Sequence, residues 1–103
     1  MTLADLLTLR VDFRDEQAAA RITPEQANAY LAARGWKGPG RTHEWFIWHH
    51  PKGGLVQALV PNGQHWDDYG RRMCEALNGL ARIEGRSVLA VFVDMVATAT
   101  GGD

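Results

Sequence analysis

One cysteine, Cys74, stands among the 103 residues, so no internal disulfide can staple the fold. Its neighbours Met73, Ala76 and Leu77 make it a small apolar filler suited to a reducing compartment. An excess of either charge is missing too: eleven Lys and Arg against twelve Asp and Glu leave a net charge of -1. A near-neutral chain has no global field to draw it onto a polyanion, so nucleic acid would need a local patch. The longest apolar run, residues 88–93, is too short to span a bilayer. The opening stretch MTLADLLTLRVDF has no basic segment followed by an apolar core and a cleavage site, so the chain is expected in the cytoplasm, away from membranes. Catalytic signatures are equally scarce. No G-x-S-x-G, H-E-x-x-H, P-loop or G-x-G-x-x-G string occurs.

What is present suits one small domain over residues 1–103, since the chain is too short for two cores and its apolar share of 46% and charged share of 22% are ordinary for a globular protein. Residues 1–22 carry mixed periodicity, Leu3, Leu6 and Leu7 recurring as on a helix while Leu9, Val11 and Phe13 alternate as on a strand; a helix over residues 3–9 is expected. Thr23, Pro24 and Gln26 form a capping box with proline at the first helical position, so a helix starts at Pro24 and stops at Gly35. Trp36 follows as an apolar plug. Residues 37–41, KGPGR, read as irregular chain. Residues 42–50 read as a strand, residues 51–54 (PKGG) as a turn, and residues 55–60 as the return strand, ended by Pro61, which has no amide to donate.

A second long helix is expected from Asp67 or Asp68, capped by the carboxylate, with Tyr69, Met73, Leu77 and Leu80 inward and Ile83 behind them. On this pattern Arg71, Arg72, Glu75, Asn78 and Arg82 face water. Gly85 closes that helix and Ser87 caps a last one over residues 88–97, leaving residues 98–103 as a small polar tail that frays. The sum is an α+β domain: a small antiparallel sheet built on the 42–60 hairpin, with a third strand drawn from the N-terminal region, packed by helices.

Three of the four histidines lie in residues 43–50, but no metal is expected. On a strand His43 and His49 share a face roughly 20 Å apart, and His49 and His50 point oppositely. A site could still be assembled across the fold from His50, His65 and a carboxylate. His43 with Glu44 could serve acid–base chemistry, yet nothing else in the chain completes such a site. No cofactor is implied. Four tryptophans exceed what so small a core requires, and Trp45 and Trp48 lie on opposite faces of one strand, so at least one approaches the surface. The binding surface is therefore expected at Trp45, Trp48 and the turn holding His50 and Lys52, with Arg71 contributed by the long helix. The interleaved Glu75, Glu84, Asp67 and Asp68 make the rest of the arginines a solvated face rather than a phosphate patch.

The order of a helix ending in Gly35-Trp36, a Thr42-His43 pair, an aromatic strand, a His50-Pro51-Lys52-Gly53 turn and a Val60-Pro61 strand end resembles the core of the HicA toxins. These are small bacterial ribonucleases of double-stranded-RNA-binding-like fold, in which a histidine at the start of a strand is catalytic. That resemblance covers about residues 24–61 and would give His43 the catalytic role. Two extra residues separate Phe46 from the His-Pro pair, Arg41-Thr42 replaces the family's Gly-Ser, and two long helices follow in place of one short one. From Thr23 onward the chain also resembles a set of small bacterial and phage proteins that carry no known activity, through Gly35-Trp36, Val60-Pro61, Asp68-Tyr69-Gly70-Arg71-Arg72-Met73 and Glu84-Gly85-Arg86-Ser87. The reading that follows is a non-enzymatic module that binds a protein partner or a second copy, within a bacterial or phage conflict or toxin–antitoxin system. The rival is a HicA-like ribonuclease using His43.

Overall fold

The computed structural model describes residues 13–101. Its elements run α1 (Glu16–Ala20), α2 (Pro24–Ala33), β1 (Lys37–Arg41), β2 (Trp45–His49), β3 (Gln57–Pro61), α3 (Tyr69–Glu84) and α4 (Val88–Gly101). A small α+β domain results, with three antiparallel strands in the order β1-β2-β3 and four helices among the described residues. The helix expected over residues 3–9 lies outside the described residues.

α2 starts as its capping box dictates: Thr23 Oγ1 accepts from the Gln26 amide at 3.0 Å, and Gln26 Oε1 accepts from the Thr23 amide at 2.8 Å. Its end at Gly35 has the left-handed φ of +86°, and the Trp36 amide donates back to the Leu31 carbonyl at 3.0 Å, which drops the Trp36 ring into the core.

Among the described residues the third strand is β1, the KGPGR segment read as irregular chain; residues 1–12 of the N-terminal region expected to supply it lie outside the described residues. Glycine and proline mark loops in most settings, but both are tolerated on an edge strand at a bulge. The register shifts between Lys37 and Gly40, and a Cβ at Gly38 would meet the Ile47 carbonyl oxygen at 2.9 Å. Glycine is what lets the two backbones approach. β2 and β3 pair in register from Trp45↔Pro61 to His49↔Gln57, so the ladder ends at proline as expected. The return strand begins at Gln57 rather than residue 55, because Leu55 remains in the connecting loop, 99% exposed.

Phe46 and Trp48, opposite Val60 and Ala58, form the face turned to the helices. α3 supplies the other side of the core through Tyr69, Met73, Cys74, Leu77 and Leu80, all buried. A Cβ at Gly70 would lie 2.4 Å from the Glu16 carbonyl oxygen, so a glycine there allows α1 to cross α3 closely. Asn78 holds the chain entry: its Oδ1 accepts from the Phe13 amide at 2.7 Å and its Nδ2 donates to the Phe13 carbonyl at 3.1 Å. It is a clamp, not the solvated residue its position suggested. Gly85 closes α3 in the left-handed conformation, and Ser87 Oγ accepts from the Ala90 amide at 3.1 Å to open α4. That helix continues through Gly101, past the point where a frayed tail was expected.

Glu84 and Arg86 also leave the solvated face to which they were assigned. Tyr30 Oη donates to Glu84 Oε1 at 2.5 Å and accepts from Arg86 Nη1 at 3.0 Å, while Arg34 pairs with Glu84 and Arg86 with Asp94. The cluster ties α2, α3 and α4 together. Among the described residues no helix is long and apolar enough to cross a membrane.

Burial pushes the phenols of Tyr30 and Tyr69 well above the usual tyrosine range, and the Glu84 carboxylate adds to the effect at Tyr30. The folded state therefore holds these protons more tightly than the unfolded chain. Their contribution to stability is complete below about pH 10, the ordinary tyrosine value, and is lost as pH rises above it. Urea unfolding followed by circular dichroism across pH 8–11.5 should show stability falling above about pH 10. Tyr69→Phe, which removes the bond from Tyr69 Oη to the Ile22 carbonyl, should lower stability by about 1–3 kcal/mol at pH 7 and make the alkaline fall shallower. An equally steep fall in this variant would contradict the assignment.

Candidate functional site

The site begins with a tight turn before β2. The Thr42 amide donates to the Trp45 carbonyl at 2.8 Å, and Thr42 Oγ1 accepts from the Trp45 amide at 3.0 Å. This pair fixes Trp45 at the strand start. On the return side the Asn62 amide donates to the Glu44 carbonyl at 3.1 Å, and Asn62 Nδ2 to the Thr42 carbonyl at 3.0 Å. Gly63 and Trp66 then close a second turn through the Trp66 amide and Gly63 carbonyl at 2.9 Å. A Cβ on Gly63 would fall 2.1 Å from the Trp66 ring, so the indole lies flat on that glycine.

Arg72, in the first turn of α3, reaches between these two indoles. Its guanidinium carbon is 5.3 Å from the Trp45 ring centroid and 4.9 Å from that of Trp66, a double cation–π arrangement that a planar guanidinium suits. Its Nε donates to Asp68 Oδ2 at 2.8 Å, and its two terminal nitrogens to Glu44 Oε1 at 3.3 and 3.4 Å. The guanidinium holds the Asp68 carboxyl below the usual carboxylate range. Asp68 is the residue before α3, as expected, but its side chain makes no capping bond; the carboxylate is taken by Arg72 and, at 3.4 Å, Arg71. The side chain read as solvated is the hub of the site, with 22% of its surface exposed.

Two depressions meet at this arginine. On one side, between β3 and α3, is an apolar groove of about 220 Å³ walled by Trp45, Leu59, Ala76, Gly79, Leu80 and Ile83. Leu59 and Ile83 are 41% and 37% exposed there. Gly79 sits inside a regular helix, where glycine is about 1 kcal/mol less favourable than alanine, yet a Cβ at that position would touch nothing. The chain's own packing does not call for it. On the other side is a polar cleft lined by His43, Glu44, His65, Trp66, Asp67, Asp68 and Arg72.

The structure divides the surface expected from the sequence. Trp45 is half-buried on the groove wall, and Arg71 lies exposed beside Asp68. Trp48 is not a surface residue: it is 3% exposed, and its Nε1 donates to Asn28 Oδ1 at 2.9 Å, because its face of β2 is the one covered by helices. His50 and Lys52 sit at the far end of the hairpin. There His50 packs edge-on against Trp36 with centroids 5.1 Å apart, and its Nδ1 accepts from the Lys52 amide at 3.1 Å. His65 joins His43 in the cleft rather than His50, so the cross-fold grouping of His50, His65 and a carboxylate is not formed. Among the described residues no group of three His, Cys, Asp or Glu is placed to hold a metal ion. Cys74 is buried, and burial pushes its thiol up, as befits a filler.

Arg72, Leu59, Gly79 and Ile83 are the site residues that the sequence reading did not select. Local signals pointed to two of them: the Asp68–Arg72 spacing of four, which pairs charges on a helix, marks Arg72, and an isolated glycine inside a helical pattern marks Gly79. In comparison with known proteins the chain matches no family model, no curated protein and no solved structure.

Trp36 and Trp48 are buried in the core and make no ring contact with Arg72, so a change in intrinsic fluorescence on substituting that residue reports mainly on Trp45 and Trp66. Arg72→Ala should shift the emission maximum to the red, and Arg72→Lys should recover only part of the shift, because an ammonium cannot stack between two rings. An unchanged spectrum in both variants would count against the sandwich.

Proposed function

We propose that the protein is a non-enzymatic binding module that recognises a protein partner through the groove at Trp45. The observation that carries this reading is the groove itself: a concave apolar surface with an amphipathic indole on its wall and a charged rim. This is the composition of surfaces that bury a few anchoring side chains of a partner. The net charge of -1 and the carboxylates of the adjacent cleft weigh against an RNA backbone as the ligand. The recognition surface moves from the hairpin turn to the junction of β2, β3 and α3. Of the residues first selected, Trp45 lines the groove while Arg71 does not, and the setting in a bacterial or phage conflict system stays part of the proposal.

The exposed side chains Leu59 and Ile83 can be changed without touching the core, so Leu59→Lys and Ile83→Glu should alter stability by no more than about 0.5 kcal/mol. The full chain used as bait in a native lysate should retain a protein partner after nuclease treatment, and either substitution should release it. Retention by both variants, or loss of the partner with nuclease, would refute the groove as a protein-binding site.

A second reading is supported by His43 and His65 lining one polar cleft, since a pair of imidazoles is the usual equipment for acid–base cleavage of RNA. On this reading expression of the chain arrests growth and His43→Ala relieves the arrest. A wild-type chain that leaves growth unaffected rules it out.

A further inference from the structure

The two outer strands of the sheet are treated differently. β1 carries the devices that keep an edge from pairing: Pro39, an irregular register between Lys37 and Gly40, and the charges of Lys37 and Arg41. β3, with the sequence QALVP, is uncharged, regularly paired with β2 and free of proline until its last residue.

The direction of the backbone groups on β3 follows from the bonds that flank its ladder. The His50 amide donates to the Val56 carbonyl and the Asn62 amide to the Glu44 carbonyl, both at 3.1 Å. In an antiparallel pair the residues that exchange hydrogen bonds alternate, so Val56, Ala58, Val60 and Asn62 turn their amides and carbonyls toward β2. Gln57 and Leu59 turn theirs away, toward the groove. Among the described residues no hydrogen bond meets them there. The groove thus has an apolar wall on α3 and, on β3, the outward-facing peptide groups of Gln57 and Leu59, which have no partner among the described residues.

We propose that this groove takes an extended, uncharged segment of a partner protein as a fourth strand, antiparallel or parallel to β3, with one large apolar side chain seated over Gly79. The proposal rests on reading the groove as a protein-binding site, and it names the mode and chemistry of the partner. Main-chain bonds to Gln57 and Leu59 supply affinity, and the pocket beside the strand supplies selectivity, as in other cases of strand addition. The space of about 220 Å³ exceeds the roughly 150 Å³ that accommodates a benzene ring, so a phenylalanine or leucine side chain fits. Gly79 keeps that space open, with no atom within 4 Å of where its Cβ would be. A second copy of the chain is a poor occupant, because its own β3 is flanked by its own α3 on the side that would have to pair.

The test uses the full chain and a probe selected from a phage-displayed library of short random peptides, then synthesised. Enriched peptides should share one aromatic or branched aliphatic residue in an uncharged run. Gly79→Leu, which fills the pocket while improving helix propensity, should weaken the probe by about tenfold or more. Methylating successive backbone nitrogens of the probe should abolish binding at alternate positions only, and bound probe should slow hydrogen exchange at the Gln57 and Leu59 amides. Failure to enrich any peptide, binding indifferent to Gly79→Leu, or methylation that acts without alternation would overturn the proposal. So would doubling of the chain's mass in solution with protection of the same two amides, which would make a second copy the occupant. A probe blocked by Gly79→Leu that leaves those amides exchanging freely would overturn strand addition while leaving the groove as a binding surface.

Discussion

Tyr69, Met73, Leu77 and Leu80 form a buried stripe along α3, and α1, β3 and α4 each pack against that helix. Side chains of this size contribute about 1.5–3 kcal/mol apiece when fully withdrawn from water, so the stripe is a substantial hydrophobic term holding α3 to its neighbours. Because the same helix forms one wall of the groove, the width of the groove follows from core packing. The surface that binds is the back of the surface that folds.

The ends of α3 are oriented by polar contacts. At its C-terminal end Glu84 accepts from Tyr30 and Arg34, with Arg86 and Asp94 extending the cluster. At its N-terminal end Arg72 lies between two indoles and two carboxylates. The Arg72 pairs are partly exposed and such pairs contribute little to stability, so this cluster matters mainly through direction. It holds Trp45 and Trp66 against the start of α3 and separates the apolar groove from the polar cleft.

Features that depend on a few neighbouring residues were legible in the chain. The Thr23–Gln26 capping box, the Gly35 and Gly85 helix ends, the Ser87 cap and the turn before β3 all act within four or five residues, and the structure has each of them. β1 was not legible. Its glycines and proline carry a loop signal, and only contact with the Ile47 carbonyl across the sheet explains why Gly38 belongs in a strand. The same limit applies to Arg72, Glu84 and Asn78. Charged and amide side chains on a helix read as solvated unless the partner is known, and theirs lie on other elements, Asn78 bonding Phe13 across 65 residues of sequence.

Sequence alone determined the α+β composition, the helix boundaries set by caps, a hairpin within residues 42–60 and the excess of aromatic side chains on it, because these follow from local backbone chemistry and period. Strand alternation also placed Trp45 and Trp48 on opposite faces. Which face is covered was decided only by the tertiary packing of α2 and α3, and that decision sent Trp48 to the core with Asn28 and left Trp45 beside Arg72. The groove is a product of the same step. None of its residues is adjacent to its opposite wall in sequence, so no local pattern could encode a cavity that exists only once α3 has docked beside β3.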